Sequence, residues 1–487
     1  MSNIPIVQGV AVPSEQSKFG YQPAPGAAAN DNNNNNFGYQ QAPSNNNDYS
    51  YATADLIERR QNPVQQYNDV GFAVAFLLHL VAMIGVLSYN ILTSTESSSS
   101  GSYANIVFVV GVTGLVAVGL STLALSFMLK HSTVLVKASL VFSVVTSLAV
   151  GIIGFMVGSL MMGILGLVSF AVGICYAKMV WSRIPFAAAN LNTALAAVQQ
   201  NMGLAVVAYG FLGIAFAWSI FWFLGLSDAL AGSNLPVVFV CFLSYYWVHQ
   251  VLQNTLKVSV AGVVGTWWHI PDEASTFWSP ALTGSLSRAT SYSFGSICFG
   301  SLLVAIIQAL RALEHYTRDN DEMSALQCII QCILSCLESI VEYMNKWAYI
   351  YVGLYGFSYL EAGRNVIQLF QQKGWTAIIT DDLTDNVLFM MSAAVGLACG
   401  VIGLLLGFVD VDMFADMGYE HASGPAFLIG MLVGFLLSSI LFAVVGSAVN
   451  TVIVCYAEAP AEFQMNHPQL ATEMRSAWVQ AWPELSI

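Results

Sequence analysis

The sequence predicts an all-α fold, a polytopic transmembrane helical bundle of about ten spans that follows a disordered N-terminal tail. Three observations carry this. Of 487 residues, 56% are hydrophobic and only 9% charged, against about 25% charged in an ordinary soluble domain. The mean hydropathy is +0.65. The apolar residues also arrive in long blocks, each able to cross about 30 Å of hydrocarbon as a helix. Helix is the form such blocks must take, because an open strand leaves backbone N–H and C=O groups unsatisfied in lipid.

Residues 1–68 are a different polymer, rich in Asn, Gln, Pro, Ala and Tyr. They contain the run Asn32 to Asn36 and a tandem similarity between FGYQPAP (19–25) and FGYQQAP (37–43). This composition cannot bury a core, so the segment reads as a disordered cytoplasmic tail with room for a protein partner. The bundle is assigned to 69–460, and 461–487 to a cytoplasmic C-terminal tail. No secretory signal pattern opens the sequence.

Spans are predicted, in order, at 70–89, 105–129, 134–156, 158–180, 203–225, 235–257, 290–313, 324–344, 385–409 and 425–456. Lys and Arg test their orientation. With the N-terminus cytoplasmic, Arg59, Arg60, Lys130, Lys137, Lys178, Arg183, Lys257, Lys346, Arg364, Lys373 and Arg475 fall inside, and the outer connections 90–104, 226–234 and 410–424 hold no Lys or Arg. Arg311 and Arg318 resist this scheme. Two alternatives accommodate them: 235–269 divides into a span plus a re-entrant piece, or 324–344 lies as an inner surface helix. The mixed segment 347–373 reads as a cytoplasmic or re-entrant helix beneath the bundle.

Two spans carry polar stripes. In 324–346 the polar residues Ser324, Gln327, Gln331, Ser335, Glu338, Glu342 and Asn345 recur at steps of three and four, so they share one helix face. A carboxylate at the bilayer centre costs about 2.5–3.5 kcal/mol on insertion scales, so this face belongs against a wet cavity or the bundle interior. An amphipathic helix on the membrane surface shows the same period. In the sixth span Trp247, Gln250, Asn254 and Lys257 make a second stripe, with Tyr246 and Gln253 adjoining. Interhelical hydrogen bonding explains such amides, and an aromatic beside amides also suits an organic cation. Tyr292, Ser296, Ser301 and Gln308 add polarity in the seventh span.

Several function classes drop out. No HExxH, GxSxG, P-loop or dinucleotide fingerprint occurs, so no enzyme is expected and no cofactor. No basic cluster exists, so no nucleic acid is a partner. The eight cysteines lie in or beside apolar segments and read as small packing residues. Cys328, Cys332 and Cys336 share a face but lack a nearby His, which argues against zinc. Lone His79 reads as a core residue. Asp381, Asp382 and Asp385 read as a solvated helix start, and Asp410, Asp412 and Asp416 as an acidic outer loop.

Four blocks then carry a resemblance: WVHQVLQNTLKVSVAGVVGTWW (247–268), FGSICFGSLLVAIIQALRALEHY (294–316), CLESIVEYMNKWAYIYVGLYGFSYLEAGRNVIQLF (336–370) and VNTVIVCYAEAPAEFQMNHPQL (449–470). In order and spacing they resemble the choline transporter-like family, over roughly 66–475, and look most like its fungal and protist members. The resemblance implies a ten-span transporter-like bundle with cytoplasmic termini, in the plasma membrane or an internal one. Characterised animal members move choline, and some ethanolamine, without sodium. This chain departs from those members in its short Ser-rich connection at 90–104 and in having no N-x-Ser/Thr acceptor.

On this reading the chain is a facilitative transporter of choline or a related small amine in the lipid bilayer. Trp247, with Tyr245 or Tyr246, holds the ammonium. Gln250 and Asn254 address the hydroxyl, and Glu338 or Glu342 supplies compensating charge. The alternatives are a non-transporting membrane scaffold or stress-response protein organised around the tail, and an ion or lipid pathway. Deleting residues 1–65 is expected to leave solute uptake by cells or vesicles unchanged. A scaffold role borne by the tail would be abolished by the same deletion.

Overall fold

The structure is a computed structural model that describes residues 66–93, 103–231, 235–317, 335, 341, 343–373, 383–411, 413–414 and 421–481. Among the described residues there are helices and turns but no strand. The first helix, α1 (Val70–Thr93), begins at a tied-down corner. Asp69 takes φ 54, a left-handed conformation that Asp tolerates better than most residues. Its carboxylate accepts from Ser296 Oγ at 2.6 Å and from the Tyr359 backbone N–H at 3.1 Å. A Cβ at Gly295 would run into the Asn68 and Asp69 carbonyl oxygens, so this junction needs glycine.

Helix α2 (Tyr103–Met156) is one run of 54 residues broken at His131 (φ −129, ψ 26). At 1.5 Å per residue it would reach about 80 Å, far beyond one bilayer crossing. The break stands between the predicted spans 105–129 and 134–156. Gly158 (φ 83) then turns the chain into α3 (Leu160–Val180), capped by Ser159. There Gly151 meets Gly166 and Gly154 meets Gly163, with backbones close enough that no side chain fits between.

A short 3₁₀ turn at Trp181–Arg183 leads into α4 (Ile184–Gln200), an Ala-rich helix buried on most sides. No span was predicted there. Next come α5 (Gly203–Ala231) and α6 (Leu235–His269). Helix α6 runs unbroken some twelve residues past the predicted end at 257, so the proposed division of 235–269 does not occur. Then follow α7 (Pro280–Thr290), α8 (Phe294–Thr317), α9 (343–355) and α10 (Tyr359–Lys373). The break between α9 and α10 falls at Gly356, with φ 69. Trp347, Tyr349 and Tyr355 on α9 are each 1% exposed, so α9 stands inside the helix packing, and the amphipathic helix is α10.

The chain continues through α11 (Thr384–Val409), α12 (Ser423–Glu458), α13 (Pro460–Asn466) and α14 (Pro468–Ala481). The segment read as a C-terminal tail from 461 is thus two docked helices as far as Ala481. Phe463 stacks on Trp268 at 3.9 Å and His467 on Trp267 at 3.9 Å. Trp478 donates its indole N–H to Asn190 Oδ1 at 3.1 Å. Tyr351 and Tyr355 both donate to the Glu458 carboxylate. These contacts join α4 and α6 to α13 and α14, and α9 to α12, at one end of the bundle.

Among the described residues, seven helical runs are long and apolar enough to cross a membrane. Dividing the second at His131 and counting α6 gives nine crossings among the described residues. The span expected at 324–344 lies outside them except for Ser335, Val341 and the first residues of α9.

Helix α11 packs on α12 through a glycine face. A Cβ at Gly403 would run into the Ala426 carbonyl oxygen, whereas one at Gly119 would meet nothing within 4 Å. Gly403→Leu is expected to cost about 1–3 kcal/mol by overpacking, read as a lower unfolding temperature of the purified protein in detergent. Gly119→Leu, on an open face, should stay within about 0.5 kcal/mol of wild type.

Candidate functional site

Helix α6 is apolar toward its start and carries amides around its middle, at Gln250, Gln253 and Asn254, followed by Lys257. Steps of three and four put these on adjoining strips of one side. That side faces a polar cavity of about 400 Å³ between α6, α8, α9, α11 and α12. Its walls include Gln250, Gln253 and Lys257 from α6, Gln308 from α8, and Asn345, Lys346 and Tyr349 from α9. Helix α11 adds Asp385, and α12 adds Ser447 and Asn450.

The amides hold the walls together. Gln250 Nε2 donates to Gln308 Oε1 at 3.3 Å, joining α6 to α8. One layer behind, Asn254 is 1% exposed. Its Nδ2 donates to Ser301 Oγ at 3.0 Å and to Tyr349 OH at 3.3 Å, so one side chain ties α6 to both α8 and α9. Tyr349 in turn donates its hydroxyl to the Ile297 carbonyl at 3.3 Å. Asn345 Oδ1 accepts from Tyr359 OH at 2.5 Å. Burial pushes the Tyr359 phenol up to about 12, which keeps it a donor at any physiological pH.

Two amide oxygens are different. Among the described residues, Asn254 Oδ1 and Asn450 Oδ1 are buried and have no hydrogen-bond partner. A buried acceptor without a donor costs about 1–3 kcal/mol. Asn450 stands on the cavity wall itself. The charges nearby are mixed: Lys346 Nζ lies 3.8 Å from Asp385 Oδ2 and 5.4 Å from the centre of the Trp347 ring.

The residues picked from the sequence separate here. Gln250 lines the cavity and Asn254 stands behind it. Trp247 does not line it. At 4% exposed, it donates its indole N–H to the Cys298 carbonyl at 3.1 Å, and Phe76 and His79 pack on it at ring distances of 5.2 Å. Its place is in the contact of α6 with α1 and α8. Tyr245 turns toward α5, against Trp222 at 4.8 Å and His249 at 4.2 Å, and Tyr246 packs edge-on against Tyr245. Neither tyrosine lines the cavity. Glu338 and Glu342 lie outside the described residues.

Sequence reasoning missed Tyr349, Asn450 and His249. An amide in the otherwise apolar α12 was a usable signal, since polar groups in spans are costly. His249 links α5 to α6, donating from Nδ1 to the Tyr245 carbonyl at 2.7 Å while its Nε2 lies 3.0 Å from Ser219 Oγ. No group of three or more His, Cys, Asp or Glu placed to hold a metal occurs among the described residues.

Residues 164–461 match the family described as plasma-membrane choline transporter. Among curated proteins, the chain is 28% identical to Protein PNS1 of Gibberella zeae, over 66% of this chain and 63% of that one. It is 26% identical to Protein PNS1 of Debaryomyces hansenii, over 84% of this chain and 89% of the relative. A CTL-like protein of Dictyostelium discoideum is also 26% identical, over 88% and 78%.

Asn254→Ala and Tyr349→Phe are each expected to destabilise the protein by about 1–3 kcal/mol, because each strips a buried partner from the other. The double variant should lose at least about 0.5 kcal/mol less than the sum. Thermal unfolding of the four proteins in one detergent measures this, and strict additivity would show that the two side chains do not act together.

Proposed function

The chain belongs to the choline transporter family, and on that premise we propose that it is a facilitative transporter of choline or a related small organic cation. It is an integral membrane protein of that family, and we place it in the plasma membrane with its Lys- and Arg-rich side in the cytoplasm.

The observation that supports this most is Asn450 Oδ1, a buried acceptor without a donor among the described residues, on the wall of a polar cavity inside an apolar bundle. A hydroxyl or a primary ammonium supplies the missing proton, and choline and ethanolamine carry such groups. A methylated ammonium has no N–H of its own. It is bound through its charge and through ring faces, worth about 0.5–2 kcal/mol per good contact. Tyr349 is the aromatic ring on this wall, and Leu388 and Ala443 add apolar surface beside it. Trp247 acts at one remove, by holding the α6–α8 wall in place.

A cation also needs negative charge. The described wall offers Asp385, which lies beside Lys346. Glu338 and Glu342, seven and three residues ahead of Asn345 in the sequence, are proposed to supply the rest. No bond is made or broken in this scheme. The membrane potential favours inward movement of a monovalent cation by about 2.3 kcal/mol per 100 mV. Access alternates by rocking one group of helices against another.

Labelled choline uptake into vesicles reconstituted with the pure protein tests the reading. Saturable uptake is expected, and Asn450→Leu should raise KM about tenfold, the equivalent of one lost hydrogen bond. Trp247→Ala should lower the yield of folded protein more than it changes KM. Absence of choline uptake by correctly folded wild type overturns the proposal.

A further inference from the structure

The hairpin of α2 and α3 differs in charge from the rest of the chain. The whole protein has a formal net charge of −13, yet between Tyr103 and Arg183 there is no Asp or Glu. The charged residues there are Lys130, Lys137, Lys178 and Arg183. The register of the packing puts two of them at about the same level. Gly154 faces Gly163 near the turn, and Val144 faces Gly173 further along. Continuing in that register, Lys137 and Lys178 emerge at the same open end of the hairpin. Both are exposed, and neither has a carboxylate partner among the described residues.

Between the two helices lies a groove of about 470 Å³, within the roughly 300–1,000 Å³ typical of small-molecule sites. Leu140, Val141 and Val144 of α2 and Ile174 of α3 make its apolar length, and Lys178 and Trp181 stand at its charged end. Val141 is 55% exposed and Trp181 49% exposed, so the groove opens sideways from the bundle rather than into it.

We propose that this groove binds an anionic phospholipid, with an acyl chain along the apolar walls and the phosphate on Lys178 and Lys137. The shape and the charge select the occupant together. A free phosphate leaves the apolar length unfilled. A zwitterionic lipid brings its own ammonium against the two lysines. A second copy of this chain, docked two-fold on the same face, sets Lys137 and Lys178 against their own counterparts. Trp181 sits where an interfacial indole belongs, between acyl chain and headgroup. The site is separate from the cavity between α6 and α12 and does not depend on what that cavity carries.

Native mass spectrometry of the full chain in detergent, titrated with phosphatidylserine or phosphatidylcholine, tests this. The first phosphatidylserine should bind more tightly than phosphatidylcholine. Lys137→Gln and Lys178→Gln should each weaken it roughly fivefold, and together roughly thirtyfold. Lys373→Gln, on α10, should change nothing. Val144→Trp, which fills the groove and keeps both lysines, should also weaken phosphatidylserine binding. Equal retention of the two lipids by wild type overturns the proposal. So does a double variant that holds phosphatidylserine like wild type, or a dimer that buries the groove and excludes lipid.

Discussion

A polar side chain surrounded by helices in a membrane must find its partner on a neighbouring helix or within its own, and the choice decides what it can hold together. Most hydroxyls here take the second course. Thr113, Ser121, Thr255 and Ser392 each donate to a carbonyl four residues back, which satisfies them without joining anything. Amides and indoles reach further. Asn254 joins three helices, Gln250 joins two, and the indoles of Trp222 and Trp247 each donate to a carbonyl on another helix. These long polar side chains line or back the cavity and join α6 to α8 and α9 there.

The opposite end of α6 is held by a different kind of contact. Trp267 and Trp268 are fully buried and stack on His467 and Phe463. Tyr351 and Tyr355 converge on Glu458. Large aromatic surfaces contribute apolar burial, and their polar edges then fix the geometry. Helices α6, α9 and α12 therefore enclose the cavity along their length and are fastened together beyond it. A substrate-linked movement has to be accommodated by the remaining helices, or by all three fastened helices moving as a unit.

The sites differ in how much of them could be read from the chain. Periodicity placed Gln250, Asn254 and Lys257 on one side of α6, and that side does meet polar neighbours. It also placed Trp247 in the same stripe. A stripe covers a wide angle of the helix surface, and a side chain at its edge can belong to a different contact. Trp247, three residues before Gln250, turns to Phe76 and His79 on α1. The Glu338 and Glu342 stripe falls outside the described residues, apart from Ser335, which accepts from Arg311, and Asn345, which lines the cavity.

By itself the sequence determined the membrane bundle and its helical character, because hydrocarbon imposes a length and a backbone rule that composition must obey locally. It also placed the break near His131 and the polar character of α6. Only the tertiary structure decided that α6 continues to His269, that 460–481 docks as two helices, and that Asn450 and Tyr349 share a wall with Gln250. It alone brought Lys137 level with Lys178 across the α2–α3 turn. The reason is one of range. Period and hydropathy are properties of neighbours in the chain, whereas a hydrogen-bond partner or a cavity wall joins residues a hundred or more positions apart.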